Sequence, residues 1–180
     1  MKLHSIGHST RSSDQLISLL KESQVDLLVD VRAYPRSRRN PQFNADVLSD
    51  ALAAEAIGYR HLEALGGRRA AQKLTGGSPN GFWREPAIRN YADYALSPEF
   101  HEALESLLRM ARDRRCAIMC AEADWRQCHR RIITDYLLAT GAEIVHILGP
   151  NRREAARMTD GAEPQDDGRI RYPAAQGSLF

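Results

Sequence analysis

The sequence predicts an α/β protein, a single three-layer domain in which a mostly parallel sheet is flanked by helices. The chain has 180 residues, of which 43% are hydrophobic and 27% are charged, values typical of one compact domain and not of a disordered chain. Short apolar segments alternate with amphipathic segments along most of the chain. Because strand–helix–strand connections are right-handed crossovers, this alternation favours helices on both faces of the sheet, a Rossmann-like arrangement.

Five segments have the apolar character of strands, and five have the periodicity of helices. Ser12 with Gln15 has the spacing of a capping box, and Ser97-Pro98 combines an N-cap with a proline at the first helical position. Asp124 is expected to begin the last helix. In chain order we predict strand 3–6, a helix after Ser12, strand 25–31, helix 43–56, strand 59–62, helices 87–96 and 98–113, strand 116–120, a helix from 124 to Gly141, and strand 143–148.

Two regions lack this alternation. Residues 65–86 are rich in glycine and predict an irregular excursion over the surface of an α/β domain that spans 1–150. Residues 151–180 predict a flexible C-terminal tail, because Asp, Glu, Pro, Gly and Gln dominate 159–168.

Charge and hydropathy restrict the classes of function. The apolar runs, such as 25–29, are far shorter than the roughly 20 residues that span a bilayer, and the first residues lack the zones of a signal peptide. We therefore expect a cytoplasmic protein without a membrane partner. Of the 25 basic residues, 22 are Arg and three are Lys. Arginine suits phosphate and carboxylate groups, although a G+C-rich genome also produces this excess.

Polar side chains gather where the predicted strands end. Ligands of open α/β sheets bind beyond the carboxyl ends of the strands, so these residues are expected to share one site. Such a density of polar groups is costly in a core and is typical of a site. The candidates are His8 and Ser9 after the first strand, Asp30, Arg32, Arg36 and Ser37 after the second, Cys120 and Glu122 after the fourth, and Cys128, His129 and Arg130 in the following segment.

The same residues resemble a known family, the domain of unknown function 488 family. The resemblance covers roughly 1–148 and implies an α/β fold, whereas the biochemical role of the family is unsettled. Trp125 departs from the family pattern, in which we expect a small polar residue or proline, and it is expected to form an aromatic wall of the pocket. The motifs are Gly7-His8-Ser9, Asp30-Val31-Arg32 with Pro35 and Ser37, Phe43, Tyr59, Leu65-Gly66-Gly67, and Cys120-Ala121-Glu122 to Cys128-His129-Arg130.

The leading interpretation of the strand ends is an anion site. The first turn of the helix predicted after Asp124 offers free backbone N–H groups and the positive end of the helix dipole. Ser9, Arg32, Arg36, Ser37 and Arg130 would bind the phosphate of a nucleotide or nucleic acid from several sides.

Thiol catalysis is the second interpretation. Cys120 or Cys128 would be the nucleophile, because a thiol beside imidazole and guanidinium groups ionises readily. His129 or His8 would transfer protons, and Glu122 or Asp30 would orient the histidine. This reading describes a thiol-dependent enzyme or a redox sensor.

Two further interpretations remain open. A metal would bind Cys120, Cys128 and His129, with His8 or Glu122 as a further ligand, but the Cys-x7-Cys-His spacing lacks the Cys-x2-Cys hook of structural zinc sites. No metal ligand is therefore assigned, and no cofactor is identified. Alternatively, the thiols are simply packed and a Glu–Arg pair holds the loop.

Two surface features suggest partners. The basic loop 32–39, together with Arg68-Arg69 and Phe82-Trp83-Arg84, combines phosphate-binding and stacking groups, as a nucleic-acid-binding module requires. The C-terminal residues Gln176, Leu179 and Phe180 resemble the peptide by which bacterial replication and repair proteins dock on the sliding clamp. Such a role would associate the chain with DNA repair, with or without catalysis of its own.

Overall fold

The computed structural model describes residues 1–175, and its centre is a six-stranded sheet of order β3-β2-β4-β1-β5-β6. The first five strands in chain order are parallel, and β6 runs antiparallel to β5. A two-stranded antiparallel ladder, β7-β8, is separate. The strands are β1 (Lys2–Gly7), β2 (Leu27–Asp30), β3 (Gly58–His61), β4 (Cys116–Cys120), β5 (Glu143–Gly149), β6 (Arg152–Ala155), β7 (Glu163–Pro164) and β8 (Ile170–Arg171).

Helices cover both faces of the large sheet. Side chains alternate across β4, so that Ala117 and Met119 pack in one apolar cluster while Cys116 and Ile118 pack in the other. The first cluster contains residues of α1 and α2, and the second contains residues of α3, α4 and α5. This three-layer arrangement confirms the predicted fold class. The helices are α1 (Ser13–Glu22), α2 (Ala45–Ala53), α3 (Pro86–Tyr94), α4 (Pro98–Asp113) and α5 (Arg130–Ala139).

Two of the three predicted helix starts are confirmed. Ser12 and Gln15 form a reciprocal capping box at α1, and the Ser97 side chain accepts a hydrogen bond from the backbone N–H of Phe100 at α4. The expected start at Asp124 is wrong. Its carboxylate caps only a 3-10 turn, Trp125–Gln127, and α5 begins at Arg130. A single turn needs the same cap as a helix, so the cap alone does not distinguish the two.

The prediction of a flexible tail is wrong for much of the segment after residue 150. Strand β6 extends the large sheet, and Ile170 and Tyr172 are fully buried. The Tyr172 hydroxyl donates to a carboxylate oxygen of Asp135 at 2.9 Å, and its backbone N–H donates to the Asn80 side chain at 2.9 Å. The polar composition of this segment gave no indication that Ile170 and Tyr172 pack against α5.

Within residues 1–175, no helix is both long enough and apolar enough to cross a membrane.

Candidate functional site at the carboxyl ends of the strands

Strands β1 and β4 lie side by side, and the loops that follow them are hydrogen-bonded to each other. The backbone N–H of His8 donates to the Cys120 carbonyl, and that of Ser9 donates to the Ala121 carbonyl, both at 2.9 Å. A Cβ at Gly7 would lie 1.9 Å from the Glu122 carbonyl oxygen, so only glycine permits this approach. Because α1 and α5 leave for opposite faces of the sheet, a crevice opens between the two strand ends.

A cavity of about 400 Å³ occupies this crevice. It brings together most of the predicted site residues and adds several from the segment 65–86 and from α3. The predicted residues that line it are His8, Arg32, Arg36, Ser37, Cys120, Glu122, Cys128 and His129, and the others include Tyr34, Asn40, Gly67, Arg68, Ala87, Ile88, Tyr91 and Gln127.

Two thiols and an imidazole form the floor of the cavity. Nδ1 of His129 lies 3.6 Å from the Cys128 sulfur and 3.9 Å from the Cys120 sulfur. Nε2 of the same ring lies 2.7 Å from the Val31 carbonyl oxygen, to which it donates. That hydrogen bond orients the ring so that Nδ1 faces both sulfurs.

The two cysteines have different acidities. Burial disfavours the Cys128 thiolate, but a hydrogen bond from Cys120 and the neighbouring His129 and Arg130 outweigh it, so its pKa lies well below the ordinary value. The hydrogen bond with Cys128 and burial raise the pKa of Cys120 well above the ordinary value. Cys128 therefore carries the larger thiolate fraction of the pair.

His8 and Arg32 form the opposite wall. The His8 ring stacks on Phe43 with a centroid separation of 4.3 Å, and its Nε2 lies 3.3 Å from a guanidinium nitrogen of Arg32. Burial lowers the pKa of His8 to about 4, and the nearby Arg32 charge adds to this effect. His8 is therefore neutral at pH 7, with Nδ1 donating to the Ser9 carbonyl at 2.8 Å and Nε2 accepting from Arg32.

Asp30 supports the site without lining it. Its fully buried carboxylate accepts hydrogen bonds from Nε of Arg32 at 2.9 Å, from Nη2 of Arg32 at 2.6 Å and from the Tyr59 hydroxyl at 2.6 Å. The structure therefore gives Asp30 the role of positioning Arg32. Asp30 forms no hydrogen bond with His8 or His129, the two histidines that a carboxylate was predicted to orient.

Arg130 and Ser9 also do not line the cavity. The Arg130 side chain is 1% exposed and donates from Nε to the Cys128 sulfur at 3.4 Å, from Nη1 to the Ser5 hydroxyl at 3.1 Å and from Nη2 to the Glu122 carbonyl. It braces the cysteine loop from a buried position away from the cavity, so the structure does not place it in contact with a ligand there. Ser9 adopts a positive φ of 50° and contributes backbone contacts at the turn.

The rim of the cavity is basic and partly aromatic. Arg36 and Arg68 are exposed, and neither forms an ion pair with a carboxylate of residues 1–175. Tyr34 is 69% exposed and stands on the same side. Glu122 contributes the one carboxylate among the lining residues, at the exposed edge.

Sequence reasoning missed the contribution of the irregular segment. Gly67 packs against His129, and a Cβ there would lie 2.8 Å from Nδ1. The Tyr91 hydroxyl donates to the Leu65 carbonyl at 2.6 Å, which fixes this segment over the site. The Gly66-Gly67 pair was the available signal, because adjacent glycines indicate close backbone approach.

Two predicted features lie elsewhere. Trp125 does not line the cavity; its ring stacks on His146 with centroids 4.1 Å apart. Gln176, Leu179 and Phe180 lie outside the described residues, so clamp docking stays a prediction. Cys116, the third cysteine, is fully buried in the apolar core.

The fold and the site together define an α/β protein in which a thiol–imidazole cluster lies beneath a basic cavity, between the carboxyl ends of β1 and β4. The chain matches the family described as Domain of unknown function DUF488 over residues 12–137, and it belongs to that family. This confirms the resemblance found in the sequence. Neither the curated proteins nor the solved structures contain a significant match.

Proposed function

We propose that the protein binds a small phosphate-bearing ligand, such as a nucleotide, in the cavity at the strand ends. The observation that carries the proposal is the basic rim: Arg36 and Arg68 face a cavity of about 400 Å³ from two different loops and have no carboxylate partner in residues 1–175. Guanidinium groups without partners favour an anion of matching geometry.

Other lining groups fit the rest of such a ligand. Ala87 and Ile88 belong to the first turn of α3, so the positive end of that helix dipole borders the cavity. Tyr34 and Ile88 offer an aromatic and an aliphatic surface for a base. Neutral His8 supplies a polar contact deeper in the cavity.

Binding of inorganic phosphate and of ribonucleoside monophosphates, measured by calorimetry at low salt, tests the proposal. Losing one charge-assisted hydrogen bond costs about 1.5–3 kcal/mol, so Arg36→Ala and Arg68→Ala are each expected to weaken binding roughly tenfold or more. Arg38→Ala is the matched control, because Arg38 is an exposed arginine of the same loop that does not line the cavity. Equal affinity in all three variants would contradict the proposal.

Nucleic-acid binding without catalysis is the second candidate, favoured by the exposed basic loop that carries Tyr34. It predicts that single-stranded DNA binds more tightly than a mononucleotide and that its affinity falls steeply with salt. It also predicts that Arg38→Ala and Arg39→Ala weaken binding as much as Arg36→Ala, because an extended strand would contact the whole loop. A mononucleotide confined to the cavity would not respond to these two changes.

A further inference from the structure

Three soft ligand atoms converge on the floor of the cavity. The sulfurs of Cys120 and Cys128 and Nδ1 of His129 all lie within 4.8 Å of one another. Nδ1 is 3.6 Å from one sulfur and 3.9 Å from the other. A single hydrogen bond from one thiol to the ring would account for one of these contacts, but it does not explain why one nitrogen faces both sulfurs.

These separations match the edges of a coordination tetrahedron. Zinc binds cysteine sulfur at about 2.3 Å and histidine nitrogen at about 2.0–2.1 Å, which gives sulfur–nitrogen edges of about 3.6 Å. The distance from Nδ1 to the Cys128 sulfur, 3.6 Å, equals that edge, and the distance to the Cys120 sulfur, 3.9 Å, slightly exceeds it. Two thiolates and one imidazole are also a ligand set that zinc uses when it keeps a fourth position open.

The surroundings of the cluster fit a bound cation. The hydrogen bond from Nε2 of His129 to the Val31 carbonyl at 2.7 Å is the kind of contact that orients metal-binding histidines. Gly67 leaves room beside Nδ1, since a Cβ there would approach within 2.8 Å. Nε of Arg130 donates to the Cys128 sulfur at 3.4 Å, a contact that stabilises a thiolate.

We propose that Cys120, Cys128 and His129 bind one zinc ion, whose fourth position faces the cavity. On binding, each sulfur that is still protonated loses its proton to solvent, His129 contributes the lone pair of Nδ1, and no electrons move. All three residues line the cavity, and the open position therefore lies where a ligand oxygen or a water molecule would bind. This inference stands on the cluster alone and does not depend on the phosphate ligand.

Cobalt(II) titration of the full chain, stripped with a chelator and kept reduced with a phosphine, tests the proposal. Cobalt in such a site is expected to give sulfur-to-cobalt charge-transfer absorption and the strong visible bands of tetrahedral coordination. The expected stoichiometry is about one per chain, and zinc should bleach the signal by displacement. Cys120→Ser, Cys128→Ser and His129→Gln are each expected to abolish the tetrahedral spectrum, whereas Cys116→Ser, in the same strand but outside the cluster, should retain it.

Alkylation of the unmodified chain tests the same proposal without relying on variants that could fail to fold. Zinc is expected to slow alkylation of Cys120 and Cys128 at least tenfold, as followed by peptide mass spectrometry, and to leave the alkylation rate of Cys116 unchanged. The proposal is overturned if the reduced chain gives no tetrahedral cobalt spectrum, if Cys116→Ser loses it equally, or if zinc gives no protection. Finding the two cysteines only as a reversible disulfide pair with no metal affinity would also overturn it. Phosphate binding is measured separately, so the two proposals fail independently.

Discussion

Buried charge near the site serves mainly to hold other side chains in place. The carboxylate of Asp30 is enclosed by the Arg32 guanidinium, the Arg32 backbone N–H and the Tyr59 hydroxyl, with donor distances of 2.6–3.1 Å. Arg32 in turn donates to the Phe43 carbonyl at 2.7 Å and contacts His8. This chain of contacts fixes the wall of the cavity, so Asp30 acts on the site through Arg32.

Asp30→Asn is therefore expected to act first on stability. An asparagine cannot accept all the donors around residue 30, and the buried guanidinium would lose its counter-charge. Breaking a buried pair by changing one partner costs about 3–5 kcal/mol, so a loss in this range is expected in urea unfolding.

Two companion variants sharpen this test. Tyr59→Phe removes one hydrogen bond to the carboxylate and should cost about 1.5–3 kcal/mol. Asp50→Asn, on the exposed face of α2, should change the unfolding free energy by less than about 0.5 kcal/mol. If Asp30→Asn were as mild as Asp50→Asn, the positioning role would be wrong.

At the scale of elements, apolar periodicity was sufficient for the five parallel strands and for most helices. Strand β4 was predicted with its observed bounds, and the caps at Ser12 and Ser97 were read correctly from local spacing. The elements that were missed depend on contacts distant in sequence. The start of α5 is set by the packing of the cysteine loop against β1, and β6 exists because β5 offers it an edge. Neither of these contacts produces a pattern in the sequence of the element itself.

The segment that follows β6 is expected to contribute measurably to stability. Tyr172 is fully buried, and Tyr172→Ala should cost about 3–5 kcal/mol through the lost packing. Tyr172→Phe keeps the ring and loses only the hydrogen bond to Asp135, so a loss of about 1–3 kcal/mol is expected. Arg171→Ala, at an exposed neighbouring position, is the control for chemical denaturation. Equal unfolding free energies for Tyr172→Ala and Arg171→Ala would show that the segment is not docked.

At the scale of the whole molecule, strand order decides which predicted residues meet. The rule that ligands bind at the carboxyl ends of parallel strands placed His8, Arg32, Cys120 and Cys128 correctly around one cavity. It could not tell a side chain that lines the cavity from one that braces it, as with Arg130, because that depends on side-chain direction within the loops. Gly67 reaches the site from an irregular segment that has no periodicity, whereas Tyr91 reaches it from α3.

The folded molecule also carries a buried histidine that should make its stability depend on pH. His146 in β5 stacks on Trp125, and neither ring nitrogen has a hydrogen-bond partner among residues 1–175. Burial, with the nearby charges of Arg130 and Arg126, lowers the pKa of His146 to about 3, and Glu154 is its cross-strand neighbour. In the unfolded chain the pKa of the same imidazole is close to its ordinary value of about 6.5.

Because the unfolded state binds more protons between these two pKa values, the free energy of unfolding should fall as pH decreases below about 6.5. His146 alone would contribute a loss of up to about 2 kcal/mol between pH 7 and pH 5. His146→Phe keeps the stacking shape and removes this titration, so it should make the pH profile less steep; the titration of His8 remains. It should also raise stability at pH 7 by about 1 kcal/mol or more, because two unsatisfied polar atoms disappear. His146→Gln should make the profile less steep without that gain. Profiles of all three proteins that run parallel from pH 7 to pH 5 would show that His146 does not carry the acid sensitivity.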